Sequence, residues 1–294
     1  MLANLVFTGN TAGNHGAGLH CERGDVVVRD CVFTGNTAGS GAGAWVQGRC
    51  RPRFVRCLFD GNTATGSGGA LGTDLETDLS LAECEFTSNS GASGGAVCIG
   101  VGTATVRDCA MSGNAAEFGA GLCLISATDI SITGTAILEG EASLQGGGIY
   151  ASDSTFDLAD SVVSGNGATL QGGAVFMLNS EADVSRCGLR ENRTGGSGDG
   201  FYVDGSTLVV GSSEFALNGV AIHVQGREPA DARWNWWGCS SGPYHPVANP
   251  SGEGDEVTGG VVFEPWNATA GCEEVPAAVP DTWTGIKAAH RSGP

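Results

Sequence analysis

One six-residue phrase returns along this chain at an almost constant interval, and that interval limits what the chain can fold into. It reads Leu5-Val-Phe-Thr-Gly-Asn10, Cys31-Val-Phe-Thr-Gly-Asn36, Cys57-Leu-Phe-Asp-Gly-Asn62 and Cys84-Glu-Phe-Thr-Ser-Asn89. Weaker copies follow at Cys109–Asn114, Thr135–Gly140, Ser161–Asn166, Cys187–Asn192 and Ser213–Asn218. The last position falls at 10, 36, 62, 89, 114, 140, 166, 192 and 218, a spacing of 26 residues with one slip. A small-residue cluster trails each copy, as in Gly68-Gly-Ala70, Gly94-Gly-Ala96 and Gly172-Gly-Ala174. Self-similarity at such a period marks a solenoid, in which each repeat buries its apolar side only against its neighbours.

Each period also holds three short β-like runs. One follows the glycines (Ala96-Val-Cys-Ile99, Ala174-Val-Phe-Met177), a second precedes the phrase (Val26-Val-Val28, Ile130-Ser-Ile132), and the third is the phrase itself. Runs of this length are too short for helices and too regular for loops. The Leu-x-x-Leu-x-Leu pattern of a leucine-rich horseshoe is absent, and a β-sandwich would not keep so constant a period. The pattern predicts an all-β parallel β-helix of about nine 26-residue rungs, each rung a triangle of three strands, closed by a C-terminal Trp-rich cap.

Stacking places equivalent residues above one another. Phe7, Phe33, Phe59, Phe86, Met111, Ile137, Val163, Leu189 and Phe215 should form one interior column. Strand alternation turns Cys31, Cys57, Cys84, Cys109 and Cys187 inward beside them, as a column of free, small, buried thiols continued by Thr135, Ser161 and Ser213. Their in-register Cβ separation, near the strand spacing of about 4.8 Å, is too long for disulfides. Asn10, Asn36, Asn62, Asn89, Asn114, Asn166, Asn192 and Asn218 end the third run, where an amide can serve a sharp turn and bond its copies above and below. These positions are read as structural. Asp30, Arg56 and Glu83, each just before a column cysteine, alternate in sign and predict an outward salt-bridge ladder.

Composition shifts after about residue 225. Trp234-Asn-Trp-Trp-Gly238 and Val261-Val-Phe-Glu-Pro-Trp266 hold most of the tryptophans, and Trp236, Trp237 and Trp266 are assigned to a cap that covers core and strand edge. The chain divides into rungs over 1–225, a last rung and cap over 226–275, and a linker and tail over 276–294. Its start reads as a repeat already in mid-course, which predicts a truncated N-terminus. Cys239 and Cys272 lie in irregular backbone, where geometry can adapt to a disulfide. Such a bridge would add about 3–4 kcal/mol on the chain-entropy account and implies an oxidising compartment.

The Cys-x-Phe-x-Gly-Asn phrase with its Gly-Gly-Ala cluster resembles the repeat of chlamydial polymorphic outer-membrane proteins and other bacterial right-handed β-helix surface proteins. The tract Asn235-Trp-Trp-Gly…Gly-Pro…Asn249-Pro…Phe263-Glu-Pro-Trp266 is similar to their terminal unit. The resemblance covers residues 2 to about 272. It implies a right-handed coil, an extracellular or bacterial cell-surface setting, and an adhesin-like, passenger or spacer role meeting glycan or protein. The wider pectate-lyase-like superfamily adds an alternative: a polysaccharide lyase or glycoside hydrolase acting along one sheet.

Charge and motif narrow the partners. Net charge is −18 and Lys287 is the only lysine, so a nucleic-acid groove is not expected. No apolar stretch reaches the length of a membrane span. The five histidines have no ligand spacing and the cysteines no Cys-x-x-Cys, so neither a metal site nor a cofactor is expected. Asp74, Glu76 and Asp78 are the nearest to a cation site, and a solvated loop explains them as well. No Asp-Asp pair or Gly-His-Gly motif is present, and no catalytic residue is assigned. The expected state is a monomer. An outward acidic cluster with a basic partner on neighbouring rungs would favour the enzyme, whereas small or mixed outward residues would favour the surface module.

Overall fold

The computed structural model describes residues 1–268, so Cys272 and the 276–294 tail lie outside the described residues. The chain winds into a parallel β-solenoid with one strand of each coil in each of three sheets. Sheet I holds eleven strands, from Leu19–Glu22 and Ala44–Gln47 to Val220–Gln225, Gly254–Thr258 and Pro243–Tyr244. Sheet II also holds eleven, from Leu2–Ala3 and Val27–Arg29 to Ala230–Asp231 and Val261–Val262. Sheet III holds nine, from Val6–Thr8 to Glu214–Ala216. No helix occurs among the described residues.

Register follows the repeat. Phe7 pairs with Phe33, Phe33 with Phe59, Phe59 with Phe86, and Phe86 with Met111. The rings lie nearly parallel, with centroids 4.7, 4.6 and 4.9 Å apart along the four phenylalanines. Phe33, Phe59 and Phe86 are fully buried, and one continuous core follows the axis. The stack spacing is the strand spacing itself, so each ring contributes burial and ring contact together.

The triangle needs a correction. Between the asparagine and the glycine cluster, a fourth narrow ladder forms, visible as Thr37–Ala38 on Thr63–Ala64 and as Ala115–Phe118, Glu141–Gln145, Gly167–Ala168 and Arg193–Thr194. Single bridges through Ser90 join the two parts. Its strands are mostly two residues long and built on alanine, too short and too small to read as a β run. Ala38, Ala64 and Ala142 are buried along it.

Corners are made by left-handed backbone. The residue before each column cysteine or its equivalent has positive φ: Asp30 (53°), Arg56 (50°), Glu83 (54°), Asp108 (52°), Asp160 (50°), Arg186 (52°) and Ser212 (53°). Only Gly134 meets this demand with glycine. Left-handed geometry costs a side-chain-bearing residue about 1–2 kcal/mol. The stack on either side holds it in place, and the side chain is thereby thrown outward.

The last coils close the rod. Trp237 is fully buried and stacks on Phe215 at 4.7 Å, extending the phenylalanine column by one ring. Trp266 lies over Gly242, where a Cβ would come within 2.5 Å of the indole and where φ is +80°. Trp236 serves mainly through its backbone: its N–H donates to Ser213 O and its carbonyl accepts from Phe215 N, at 2.9 and 2.8 Å. Asn249 ties the loop by donating to Ser241 O and Pro243 O.

Candidate functional site

Side chains that recur in every coil are the first candidates for chemistry, and the asparagines are the most regular. Asn36 donates from its backbone N and its Nδ2 to Asn62 Oδ1 at 3.1 and 2.9 Å. Its other amide proton goes back to Phe7 O at 2.9 Å. The pattern repeats from Asn10 to Asn114, and again from Asn166 to Asn218. All of them except Asn10 are buried. Gly140 interrupts the ladder for one coil, its N–H donating to Asn166 Oδ1 at 2.9 Å. The amides are spent on the stack, so none faces a ligand.

The thiols are similarly occupied. Cys31, Cys84, Cys109 and Cys187 each donate to the carbonyl two residues earlier, at 3.2, 3.4, 3.3 and 3.2 Å. Thr135, Ser161 and Ser213 make the same bond at 3.1, 2.7 and 3.1 Å. All these thiols are buried and free. Burial pushes the Cys84 thiol well up and holds Cys187 at about 11, while hydrogen bonding with Cys84 and then burial raise Cys57. A thiol held protonated is a poor nucleophile and a poor metal ligand. Chemically, this column is packing.

The acidic loop candidates do not converge. Asp74 Oδ1 accepts from the N–H of Leu75 at 2.8 Å, Glu76 pairs with Arg49 at 2.5 Å, and Asp78 faces Arg51 at 3.7 Å while accepting from Thr103. Among the described residues, no group of three His, Cys, Asp or Glu side chains is placed to hold a metal ion. Beside them a cleft of about 630 Å³ opens at the corner between sheets I and II, lined by Arg23, Arg49, Leu75, Glu76 and Val101. Its charges are paired, Arg49 with Glu76 on the next coil and Arg23 with its neighbour Glu22.

The predicted charge ladder forms in part. Arg56 grips Asp30 with two bonds, at 2.7 and 2.9 Å, and the same coil position repeats the grip at Arg186 and Asp160, at 2.6 and 2.7 Å. Glu83 adds its field to Arg56 without an ion pair. The Asp30 carboxylate, through its hydrogen bond, raises the Arg56 guanidinium, and Arg186 likewise lowers Asp160.

The outward faces differ from one another. Sheet III presents small and mixed groups, such as Val32, Leu58, Ala110, Thr87 and Ser112. Sheet I presents a second aromatic stack: Tyr150 on Phe176, Phe176 on Tyr202 and Tyr202 on His223, at 5.2, 5.4 and 5.1 Å. Its interior ring faces are covered by the next ring, so a sugar ring could not stack on them. Sheet II carries its charges in separate zones. Arg29 and Arg53 stand on early coils, and Asp157 and Asp183 are stacked in register on later ones.

Comparison with known proteins agrees with this geometry. Residues 2–137 match the family model described as the right handed beta helix region. The chain is a right-handed parallel β-helix. No curated protein and no solved structure matches it. The match ends within the sixth of the nine repeats, and the β-helix continues beyond it with the same asparagine, core and corner positions to Asn218.

Several residues that complete the β-helix gave no repeat signal. Asn235 takes the next place in the cysteine column, accepting from Ser213 N at 2.9 Å and donating to Val210 O. Asp255 ends the asparagine ladder, its Oδ2 accepting from Asn218 N and Nδ2 at 3.0 and 2.8 Å. Burial raises the Asp255 carboxyl despite those donors. Cys239 contacts Ser241 Oγ at 3.2 Å, and its proposed bond to Cys272 falls outside the described residues.

Proposed function

We propose that this β-helix is a non-catalytic module of a secreted or cell-surface protein, a stiff spacer or passenger whose flanks meet glycan or protein. One observation carries the reading: the side chains that recur coil after coil are spent on the stack itself. Asparagines bond asparagines, thiols bond carbonyls of their own or the preceding coil, and phenylalanines stack on phenylalanines. Nine coils at about 4.8 Å make a rod of about 40 Å, a length set by copy number. The resemblance of the repeat to those of bacterial surface proteins supports the extracellular setting.

The alternative, a polysaccharide lyase or hydrolase, has its best support in Asp157 and Asp183, two exposed carboxylates in register on sheet II. A glycan enzyme of this fold would add a base, an acid or a cation beside them. Their side chains have no ion-pair partner among the described residues. Incubation with polygalacturonate and alginate, with and without Ca²⁺, is expected to release neither unsaturated products nor reducing ends. Turnover that disappears in Asp157→Asn or Asp183→Asn would replace the spacer reading with the enzymatic one.

A further inference from the structure

We propose, beyond the spacer reading, that Cys239 forms a disulfide with Cys272 and so ties the chain after Ala268 to the cap. Among the ten described cysteines, eight are buried, and only Cys21 and Cys239 are half-buried. The buried thiols serve the stack, as Cys31, Cys84, Cys109 and Cys187 do by bonding backbone carbonyls. Cys21 donates to Gly24 O at 3.3 Å, within its own corner. Cys239 belongs to no column. It lies in a turn between two left-handed glycines, Gly238 (82°) and Gly242 (80°), closed by Gly242 N donating to Cys239 O at 3.1 Å. Its sulfur accepts from Ser241 Oγ at 3.2 Å and donates to Glu253 Oε2 at 3.6 Å.

The eleventh cysteine, Cys272, lies outside the described residues, four positions past Ala268. The run that leads to it is held against the Trp-rich loop. Trp234 N donates to Pro265 O at 2.7 Å, Asn267 N to Asn235 O at 2.9 Å, and Asn267 Nδ2 to Trp234 O at 2.7 Å. Trp266 Nε1 donates to Ser240 O at 3.3 Å, on the residue next to Cys239.

Ser240 and Ala268 line one hollow of about 560 Å³, together with Glu264, Pro265 and Trp266. The chain thus sets out toward Cys272 from the rim beside Cys239. Four residues reach up to about 14 Å when extended, enough to cross a hollow of that volume. A disulfide wants its Cα atoms about 4.4–6.8 Å apart and its Cβ atoms about 3.8 Å apart. Stacked thiols in register cannot meet the second demand. Irregular backbone at Cys239, and Gly271 just before Cys272, leave this pair free to meet both.

The bond forms by thiol–disulfide exchange with a small-molecule or protein disulfide as oxidant. One cysteine thiolate attacks that disulfide and expels a thiolate; the second attacks the mixed disulfide and expels the other. Two protein thiols become one disulfide, and the oxidant takes up two electrons and two protons to become two thiols. The place suits such a tie. Pro243–Tyr244 and Val261–Val262 are the outermost strands of their sheets, where a solenoid is open to fraying.

Mass mapping tests the pairing. The whole chain, first reduced and then exposed to oxidised glutathione, is alkylated and digested without reductant. A peptide pair linking Cys239 to Cys272 is expected, with the eight buried cysteines recovered as free thiols. Reducing the oxidised wild type should then move denaturant unfolding to a lower midpoint. Cys239→Ser and Cys272→Ser should each unfold at that lower midpoint with or without the oxidant, and circular dichroism should show both folded. Alkylation of Cys239 and Cys272 after oxidation, a link from Cys239 to Cys21 or to a second copy, or a midpoint that reduction does not move would overturn the proposal. None of these outcomes depends on glycan turnover, so this proposal and the spacer reading fail separately.

Discussion

Two polar columns run the length of the same stack, one of asparagines and one of cysteines with hydroxyl substitutes, and they hold it in different ways. The asparagine side chain both donates and accepts, so Asn62 accepts from Asn36 and donates to Asn89 and Phe33 O, touching the coils on either side. The thiol of Cys84 donates to Ala82 O, within its own turn. Where a hydroxyl replaces the thiol, it also accepts from the coil before it, as Thr135 N bonds Ser161 Oγ at 3.1 Å. Cohesion between coils thus comes from groups that can act on both sides at once. The thiols contribute volume and only a long donation to the coil before, from Cys57 to Val28 O at 3.6 Å and from Cys187 to Leu158 O at 3.4 Å, and the difference is one of acceptor strength.

The largest expected effect comes from removing one amide in mid-ladder. Asn62→Ala would orphan the Asn36 N–H, one Asn36 amide proton and Phe33 O, and leave a small void. Each buried orphan costs about 1–3 kcal/mol, so a loss of about 3–5 kcal/mol is expected in denaturant unfolding. Asn62→Asp should be no better, because it keeps the acceptor but loses both donations and sets a carboxylate against Phe33 O. A change under about 0.5 kcal/mol in either variant would remove the asparagines from the account of cohesion and put the columns on a par.

Period and interior register were legible because a repeat writes the same physical demand many times. Phe33, Phe59 and Phe86 announced a column, and the column is there. The fourth ladder was not legible, since Thr37–Ala38 and its copies are two residues of ordinary loop composition. Nor were Asn235 and Asp255, which sit outside the repeat and reach their columns through irregular backbone. The outward face of sheet II was hidden by averaging. A net charge summed over the chain cannot reveal that Arg53 and Asp157 share one column four strands apart.

A smaller effect is expected from the thiol column, and pH is the way to reach it. The Cys187 thiol is raised from 9.0 to about 11, chiefly by burial. A folded value above the unfolded one means stability is fully present below about pH 9 and is lost as pH rises through about 11. Two pH units correspond to about 2–3 kcal/mol for this one group. Cys187→Ser should remove that share of the alkaline slope, because Ser161 and Ser213 already occupy the column with intact hydrogen bonds. Unfolding curves for both proteins at about pH 8 and pH 11 decide it; equal slopes would mean that Cys187 does not titrate with unfolding.

The smallest effect concerns the point where the amide ladder stops. Each member donates to the next asparagine and back to a carbonyl of the coil before; the last has no further asparagine to serve, and there a carboxylate that only accepts stands, Asp255. In that place burial outweighs the two Asn218 donors and raises the carboxyl, with Asp199 adding a like charge nearby. The sign follows: the favourable contribution is complete below the ordinary aspartate range and is lost as pH rises through the raised value. At neutral pH the folded state therefore holds a carboxylate it would rather have neutral. Asp255→Asn supplies the ladder's own group, still accepting from Asn218, with no charge to bury. It should stabilise the protein at neutral pH by no more than about 1 kcal/mol and leave it unchanged or weaker in acid, where Asp255 is already protonated. A variant that is less stable than wild type at neutral pH would show that the Asn218 donors need a negative charge, and that the ladder ends on an ion pair in all but name.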